Sequence, residues 1–169
     1  KVSVQAELLS VIIKTQCGRN FCISTFYRVG TLGLDNFESF KKHFVTLASA
    51  RKLQRHILVG DFNLASVSWP DGQSSCQLHS SFVNFLTDDL GHTQLINSPT
   101  HKSGNTLDLV FTNIQSLIKN VKVLDQNEMC MSDHFCITFN IDVKTKYIKQ
   151  PKRKIFNYSK GNFRGLNSE

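Results

Sequence analysis

A chain of 169 residues, 40% of them hydrophobic, is long enough to bury the core of one domain and too short for two independent domains. It contains no run of about 18 apolar residues that could cross a bilayer and no basic-then-apolar leader, so we expect a soluble intracellular protein, nuclear or cytoplasmic. The five cysteines are odd in number and include no C-x-x-C pair, which argues against a disulfide framework and against a zinc knuckle.

The net charge of +7 is unevenly distributed. Residues 144–169 hold eight of the 20 basic residues and one of the 13 acidic ones, so the preceding body is close to neutral. We therefore predict a domain at 1–143 and a basic linker or tail at 144–169. The tail could contact nucleic acid, because each cation near a phosphate releases a condensed counterion, or it could be a solvated linker. Because the chain begins at Lys1 and enters an apolar segment directly, we also expect it to be a piece of a longer polypeptide.

The first elements in chain order are a hairpin and a helix. Residues 4–15 and 21–28 are rich in β-branched and aromatic residues and flank a turn-like stretch at 17–20, which predicts two antiparallel strands. Asp35 with Glu38 three residues later suits a helix N-terminus, and apolar residues then recur at helical spacing. A helix is therefore predicted over 36–50.

The second half alternates strands with one more helix. The apolar run 56–60 predicts a strand that is buried on both faces and leads to Asp61. An apolar stripe over 78–90 with Gly91 as its stop predicts a helix that faces the core. Further strands are predicted at 93–97, 106–112, 119–124 and 135–143. The pattern indicates a mixed α/β (α+β) fold in which strands outnumber helices.

Polar residues cluster where these strands begin or end. Asp61 and Asn63 stand two residues apart just past a buried strand, so their side chains should point the same way. Asp133 and His134 immediately precede the last strand. Asp108 lies within an apolar strand, where an unpaired carboxylate is costly to bury, so an imidazole partner is expected. Each motif alone also fits a turn or a cap, and it is their order that favours one shared site.

Taken in order, these motifs resemble a known family. Phe26-Tyr27-Arg28, then G-D-F-N at 60–63, P-T at 99–100 with S-G-N-T-L-D-L-V-F-T-N at 103–113, and S-D-H at 132–134 resemble the endonuclease/exonuclease/phosphatase family. Over 4–143 they are most similar to endonuclease domains of non-LTR retrotransposons. The resemblance implies a four-layer sandwich of two packed β-sheets flanked by helices, here without its N-terminal part. It also implies metal-dependent nicking of DNA, whose freed 3′-hydroxyl primes reverse transcription by a linked downstream domain.

The resemblance implies a role for each matching residue. Asp61 would activate the attacking water or protonate the leaving oxygen, and Asn63 would orient the scissile phosphate. Asp133 would help to hold a divalent cation, Mg²⁺ or Mn²⁺. His134 would contact the phosphate and would be oriented by Asp108. Such a set suits in-line attack, because negative charge that builds on the phosphoryl oxygens needs a cation, hydrogen-bond donors and a carboxylate near the water.

The remaining implied roles concern substrate binding. Tyr27 would hydrogen-bond the phosphate, Thr100 would support the site from its loop, and Arg28 would belong to the substrate-binding set. The family's N-terminal asparagine and its metal-binding glutamate are not visible, and Glu7 is not assigned that role. The family's tyrosine-arginine-proline run also differs here, since Val29 follows Arg28. We therefore expect weak metal binding and poor DNA cleavage by this chain alone.

Other residues are interpreted as structural, and other functions stay open. Trp69 is interpreted as a hydrophobic anchor rather than a base-stacking residue. Five histidines have no ligand-spaced partners and are interpreted as surface or packing residues: His43, His56, His79, His92 and His101. Besides a DNA endonuclease, the sequence allows a phosphoesterase for another substrate, such as an inositol phosphate. It also allows a degenerate, non-catalytic remnant that at most binds nucleic acid.

Overall fold

The computed structural model describes residues 6–15, 19–29, 34–49, 54–124 and 132–143. Its strands are β1 (Ala6–Ile13), β2 (Phe21–Arg28), β3 (His56–Asp61), β4 (Val67–Ser68), β5 (Gln73–Ser74), β6 (Thr93–Gln94), β7 (Asp108–Thr112), β8 (Ile118–Leu124) and β9 (Cys136–Ile141). Its α-helices are α1 (Leu34–Ser49) and α2 (Gln77–Asn84), and α2 continues as a π-helical segment at Phe85–Asp89. Residues 17–18 of the predicted turn and the predicted tail at 144–169 lie outside the described residues.

The main sheet has five strands in the order β1-β2-β3-β7-β6. β1 and β2 pair antiparallel, with Ala6 opposite Arg28 and Ile13 opposite Phe21, which confirms the predicted hairpin. β2 then runs parallel to β3, and α1 lies in the crossover connection that a parallel pair requires. β7 pairs antiparallel with both β3 and β6. This topology brings the C-terminal ends of β2 and β3 beside the start of β7.

One face of the main sheet is covered by the two helices. α1 buries Phe37, Phe40 and Phe44, the apolar stripe that predicted this helix. The ring of Phe40 lies 4.7 Å from Phe26 of β2 and 5.0 Å from Phe82 of α2, measured between centroids. This aromatic core therefore ties both helices to the central strands.

The predicted second helix is confirmed, and its C-terminal end is π-helical. α2 and the π-helical segment together cover most of the predicted 78–90, and Leu90 N–H donates to Phe85 O at 3.1 Å as the wide turn closes. Gly91 follows with a φ of 63°, the left-handed conformation expected of a helix stop. Among the described residues, no helix is both long and apolar enough to traverse a bilayer.

The opposite face of the main sheet packs against a second sheet, formed by β8 and β9. Ile57 of β3 and Val110 of β7 form an apolar cluster with Ile137 and Phe139 of β9. The predicted pair of packed sheets is confirmed, and the described residues contribute three of its layers: helices, main sheet and second sheet. A cavity of about 230 Å³ lies between the sheets and is lined in part by Asp108.

Several strands are shorter than predicted. In two of them, side chains make the hydrogen bonds to backbone groups that a neighbouring strand would otherwise make. The Gln94 side chain accepts from the Ile96 N–H and donates to the Ile96 carbonyl oxygen, so β6 ends at Gln94 rather than at 97. Thr100 Oγ1 accepts from the N–H groups of Leu107 and Asp108, both at 2.9 Å, and β7 begins at Asp108 rather than at 106. The last strand likewise covers only part of the predicted 135–143.

A buried hydrogen-bond network joins the start of β3 to its neighbours. His56 is fully buried, and its Nδ1 lies 2.8 Å from His92 Nε2 while its Nε2 lies 2.8 Å from Ser24 Oγ. Ser24 Oγ is in turn 2.7 Å from Ser10 Oγ of β1. Burial, and then the charges of His92 and His43, lower the pKa of His56 to about 3. The interpretation of His56 and His92 as packing residues is therefore confirmed.

Candidate active site

Three strands place polar side chains side by side. Tyr27 of β2 is the register partner of Asp61 of β3, and Asp61 is opposite Asp108 of β7. Register partners on neighbouring strands point to the same face of a sheet. Val59 and Val110 lie on that face and pack against the second sheet. Tyr27, Asp61 and Asp108 therefore form a row on the side of the main sheet that faces β8 and β9.

His134 is the imidazole partner of Asp108. Its Nδ1 lies 2.8 Å from Asp108 Oδ2, and the two side chains are 33% and 21% exposed. The contact compensates the partial burial of the Asp108 carboxylate. It also fixes the ring, so that Nε2 is the nitrogen available to a ligand.

The electrostatics of the row raise the pKa values of an acid and a base together. Burial, and then the charge of Asp108, raise the pKa of Asp61 above its ordinary value, although the Asn63 N–H and nearby histidines oppose the shift. Burial alone would lower the pKa of His134, but the hydrogen bond with Asp108 and the surrounding carboxylates outweigh it and raise that pKa. An ionised Asp61 is therefore a stronger base than an exposed aspartate, and His134 holds its proton more firmly than an exposed histidine.

The turn after β3 holds Asp61 and Asn63 in a fixed relation. Asn63 has a φ of 50°, a left-handed conformation that asparagine tolerates, and its N–H donates to Asp61 Oδ1 at 3.0 Å. Gly60 precedes this turn, and a Cβ at Gly60 would lie 1.8 Å from the Phe26 carbonyl oxygen of β2. The glycine of G-D-F-N thus allows the close approach of two strands, and the asparagine suits the backbone of the turn.

Arg28 supports this turn from inside the protein. Its Nη1 donates to the carbonyl oxygens of Phe62 at 3.3 Å and Asn63 at 2.8 Å, and its Nη2 lies 3.3 Å from His79 Nε2. Arg28 is only 1% exposed, and burial lowers the pKa of its guanidinium. This placement is at odds with the substrate contact predicted for Arg28, because a buried guanidinium reaches the site only through the backbone that it holds. Nothing in the local sequence marks this arginine as buried.

Thr100 connects the loop before β7 to the segment that carries His134. Its hydroxyl accepts the N–H of Asp108, and its carbonyl oxygen accepts the Phe135 N–H at 2.7 Å. Lys102 N–H donates to the Asp133 carbonyl oxygen at 2.9 Å, on the same pair of segments. The fully buried Thr100 therefore links the segments that carry Asp108 and His134.

His101 lies in this site, although the sequence interpretation made it a surface or packing residue without ligand-spaced partners. Its Nε2 is 3.3 Å from Asp133 Oδ2, and its ring centroid is 4.9 Å from that of His134. His101 and His134 also form an isolated β-bridge. These contacts show that the interpretation of His101 was wrong. The contacts were missed because both partners of His101 are distant in sequence, and the available signal was the position of His101 next to Thr100.

The donor set also fits a hydrated hard cation. Asp133 has a side chain that is 67% exposed, and its own N–H, followed by His101, lowers the pKa of its carboxyl. Mg²⁺ takes one or two carboxylate oxygens and keeps several of its waters, which an exposed, ionised carboxylate allows. Asp133 could therefore hold Mg²⁺ or Mn²⁺, the role that the family resemblance implies for it.

Comparison with known proteins gives a family and a fold. The model of the endonuclease-reverse transcriptase family matches residues 21–138. No curated protein sequence matches the chain. Among solved structures, the endonuclease domain of TRAS1, a telomere-specific non-LTR retrotransposon, aligns with a TM-score of 0.64 and 20% identity over 80% of this chain. The catalytic domain of human nocturnin, solved with a bound sulfate anion, aligns over 79% of this chain and 60% of its own, with a TM-score of 0.44 and 17% identity. The chain spans 62% of the TRAS1 domain, whose fold it shares.

Proposed function

Because this chain belongs to the endonuclease-reverse transcriptase family, we propose that it forms part of a retrotransposon endonuclease that hydrolyses phosphodiester bonds in DNA. One observation carries the proposal: the Asp108–His134 pair lies beside the half-buried Asp61 on the ends of neighbouring strands. A base, an imidazole and the carboxylate that orients it then face one space. A reverse transcriptase domain downstream in the parent protein would use the nicked end.

The chemistry follows from the protonation states. Asp61 takes a proton from the attacking water as the water oxygen bonds to phosphorus, and the raised pKa of Asp61 makes its ionised form a better acceptor. The bond between phosphorus and the 3′ oxygen breaks, and the 3′ oxygen takes up a proton from solvent. His134 donates from Nε2 to a non-bridging phosphoryl oxygen while Asp108 holds Nδ1, and the raised pKa of His134 favours its protonated form. The Asn63 amide and the Tyr27 hydroxyl orient the phosphate from the turn and from β2. Thr100 and Arg28 position these groups without touching the substrate.

A divalent cation, Mg²⁺ or Mn²⁺, would be held by Asp133 and would neutralise charge on the phosphoryl oxygens. A single exposed carboxylate is a weak site for such an ion, and the chain spans 62% of the TRAS1 domain. We therefore expect this chain alone to bind Mg²⁺ weakly and to cleave DNA poorly. The longer parent polypeptide should be far more active.

The test is nicking of a supercoiled plasmid with Mg²⁺, by this chain and by the parent polypeptide. We expect slow nicking by the chain, at least about a hundredfold faster nicking by the parent, and loss of both with Asp61→Asn or His134→Gln. Asp142→Asn, at an exposed acid after β9, is the matched control and should nick normally. A polymerase should extend the nicked ends. Unchanged nicking in Asp61→Asn would refute the proposed site.

A second candidate is a non-catalytic module that binds nucleic acid, favoured by the weak cation site that the exposed Asp133 carboxylate alone would make. It predicts retention of labelled DNA in a gel shift and no nicking in either the chain or the parent. A phosphoesterase for another substrate predicts phosphate release from inositol phosphates by the parent and no nicking. The plasmid and phosphate assays together separate the three functions.

A further inference from the structure

Three potential metal ligands from two loops converge beside the Asp108–His134 pair. His101, Asp133 and His134 each offer one ligand atom, and these atoms all lie within 4.8 Å of one another. His101 Nε2 and Asp133 Oδ2 are 3.3 Å apart. Metal–nitrogen bonds of about 2.0–2.1 Å place two ligands of a tetrahedral ion about 3.4 Å apart, so this pair already has the required separation. The Asp133 side chain is 67% exposed, so an ion can reach it from solvent.

Each imidazole has a partner for its other nitrogen. Asp108 Oδ2 lies 2.8 Å from His134 Nδ1, and Ser103 Oγ lies 2.7 Å from His101 Nδ1. His101 Nδ1 also accepts the Ser103 N–H at 3.0 Å, so without an ion the proton of a neutral His101 lies on Nε2, which faces Asp133. Metal-bound histidines nearly always donate this second N–H to a carboxylate or another acceptor, which fixes the tautomer and the direction of the ring. With a proton on Nδ1, His134 has Nε2 left to coordinate an ion. An ion at His101 Nε2 would displace the proton there, and Nδ1 would then donate to Ser103 Oγ while the Ser103 N–H loses its acceptor. The backbone bridge between His101 and His134 holds the main chains of the two residues side by side.

We propose that His101, Asp133 and His134 bind a borderline transition-metal cation of the Zn²⁺ or Co²⁺ class. Imidazole and carboxylate together are the donors that such ions prefer, whereas Mg²⁺ takes oxygen and water. Three protein ligands leave a fourth position for water. This site shares Asp133 with the proposed Mg²⁺ position, but His101 and His134 select a different class of ion.

Occupancy of the site has a consequence that rests on the proposed function. The ion would take His134 Nε2, the nitrogen assigned to the phosphate, and would share the Asp133 carboxylate. Zn²⁺ should therefore inhibit nicking in the presence of Mg²⁺. His101→Gln should weaken that inhibition, because it removes a ligand that the proposed hydrolysis does not use.

The test is a titration of the untagged full chain with Co²⁺, followed by visible absorption. We expect a saturable spectrum for one ion, and an affinity about ten- to a hundredfold lower for His101→Gln. Ser103→Ala should lose affinity to a smaller extent. His43→Gln replaces a histidine on α1 outside this site and should bind as the original chain does. Circular dichroism checks that each variant is folded.

The outcomes separate this site from the nuclease proposal. Co²⁺ binding that depends on His101 supports the site even if neither the chain nor the parent nicks DNA. Equal Co²⁺ affinity in folded His101→Gln and in the original chain would overturn it. Absence of a Co²⁺ spectrum would do the same, whatever the nicking assay gives. Zn²⁺ inhibition of the parent that is undiminished in His101→Gln would overturn the inhibitory role.

Discussion

Asp61 and His134 must carry opposite protonation states for the proposed hydrolysis. Asp61 has to lose its proton, and its raised pKa moves that loss above the ordinary aspartate range. His134 has to keep its proton, and its raised pKa extends that state above the ordinary histidine range. Asp108 contributes to both shifts, since its charge disfavours a second carboxylate and favours an imidazolium.

The pH dependence of nicking by the parent polypeptide should therefore be bell-shaped. We expect an acid limb above the ordinary aspartate pKa of about 3.9 and an alkaline limb above the ordinary histidine pKa of about 6.5. In Asp108→Asn both limbs should move to lower pH, because removal of one negative charge lowers the pKa of Asp61 and that of His134. The measurement is kcat/KM across pH, with Asp142→Asn as the control. Limbs that stay fixed in Asp108→Asn would contradict this coupling.

Some residues of the site were predicted from the sequence and others were not. The order of motifs at strand ends predicted that five residues converge: Asp61, Asn63, Asp108, Asp133 and His134. The structure has Asp61 opposite Asp108, and Asp108 bonded to His134. His101 was missed because its contact with Asp133 depends on a tertiary bridge between two loops. The burial of Arg28 was missed for a related reason, since its hydrogen bonds go to backbone more than 30 residues away in sequence.

At the level of elements, prediction succeeded where the periodicity was long. The hairpin and α1 each carry a clear strand or helix pattern, and the structure has them within about two residues of the predicted bounds, the usual uncertainty of element ends. The short β6 was overestimated because the Gln94 side chain replaces ladder bonds, which an apolar pattern does not reveal. The strand order could not be predicted, since pairing between distant strands is a property of the folded chain.

Because β2 and β3 lie very close at Gly60, a side chain at this position should destabilise the fold. In Gly60→Ala the new Cβ would collide with the Phe26 carbonyl oxygen at 1.8 Å, and backbone on both sides leaves no room to relax. We expect a loss of more than about 4 kcal/mol in the free energy of unfolding, or failure to fold. Gly104→Ala is the matched control, because Gly104 has a φ of 84° but no atom within 4 Å of its Cβ, so only about 1–2 kcal/mol of backbone strain applies. Urea unfolding followed by circular dichroism measures both, and similar losses would contradict the steric explanation.

The buried histidine network affects the stability of the whole molecule. His56 has a folded pKa of about 3, whereas the unfolded chain should show the ordinary value of about 6.5. Between these values the unfolded state binds the proton more readily. Its stabilising contribution is therefore complete above the unfolded pKa and is lost as the pH falls toward the folded pKa.

Urea unfolding between pH 7 and about pH 4 tests this contribution. The free energy of unfolding should fall with decreasing pH by up to about 1.4 kcal/mol per pH unit more steeply in the original chain than in His56→Gln. Glutamine cannot titrate, and it retains one donor and one acceptor for His92 and Ser24. Carboxylates contribute equally to both chains, so the difference isolates His56. Parallel curves would show that His56 is not the titrating group.

The joining of the Thr100 segment to the Phe135 segment has a consequence for how such sites diversify. Both of its cross-links, Phe135 to Thr100 and Lys102 to Asp133, run between main-chain atoms. Hydrogen bonds between main-chain atoms do not depend on the side chains that the same residues carry. His101, Asp133 or His134 can therefore be replaced by other residue types, in evolution or in design, while the two loops stay paired. The same backbone could thus carry sites with different functional groups.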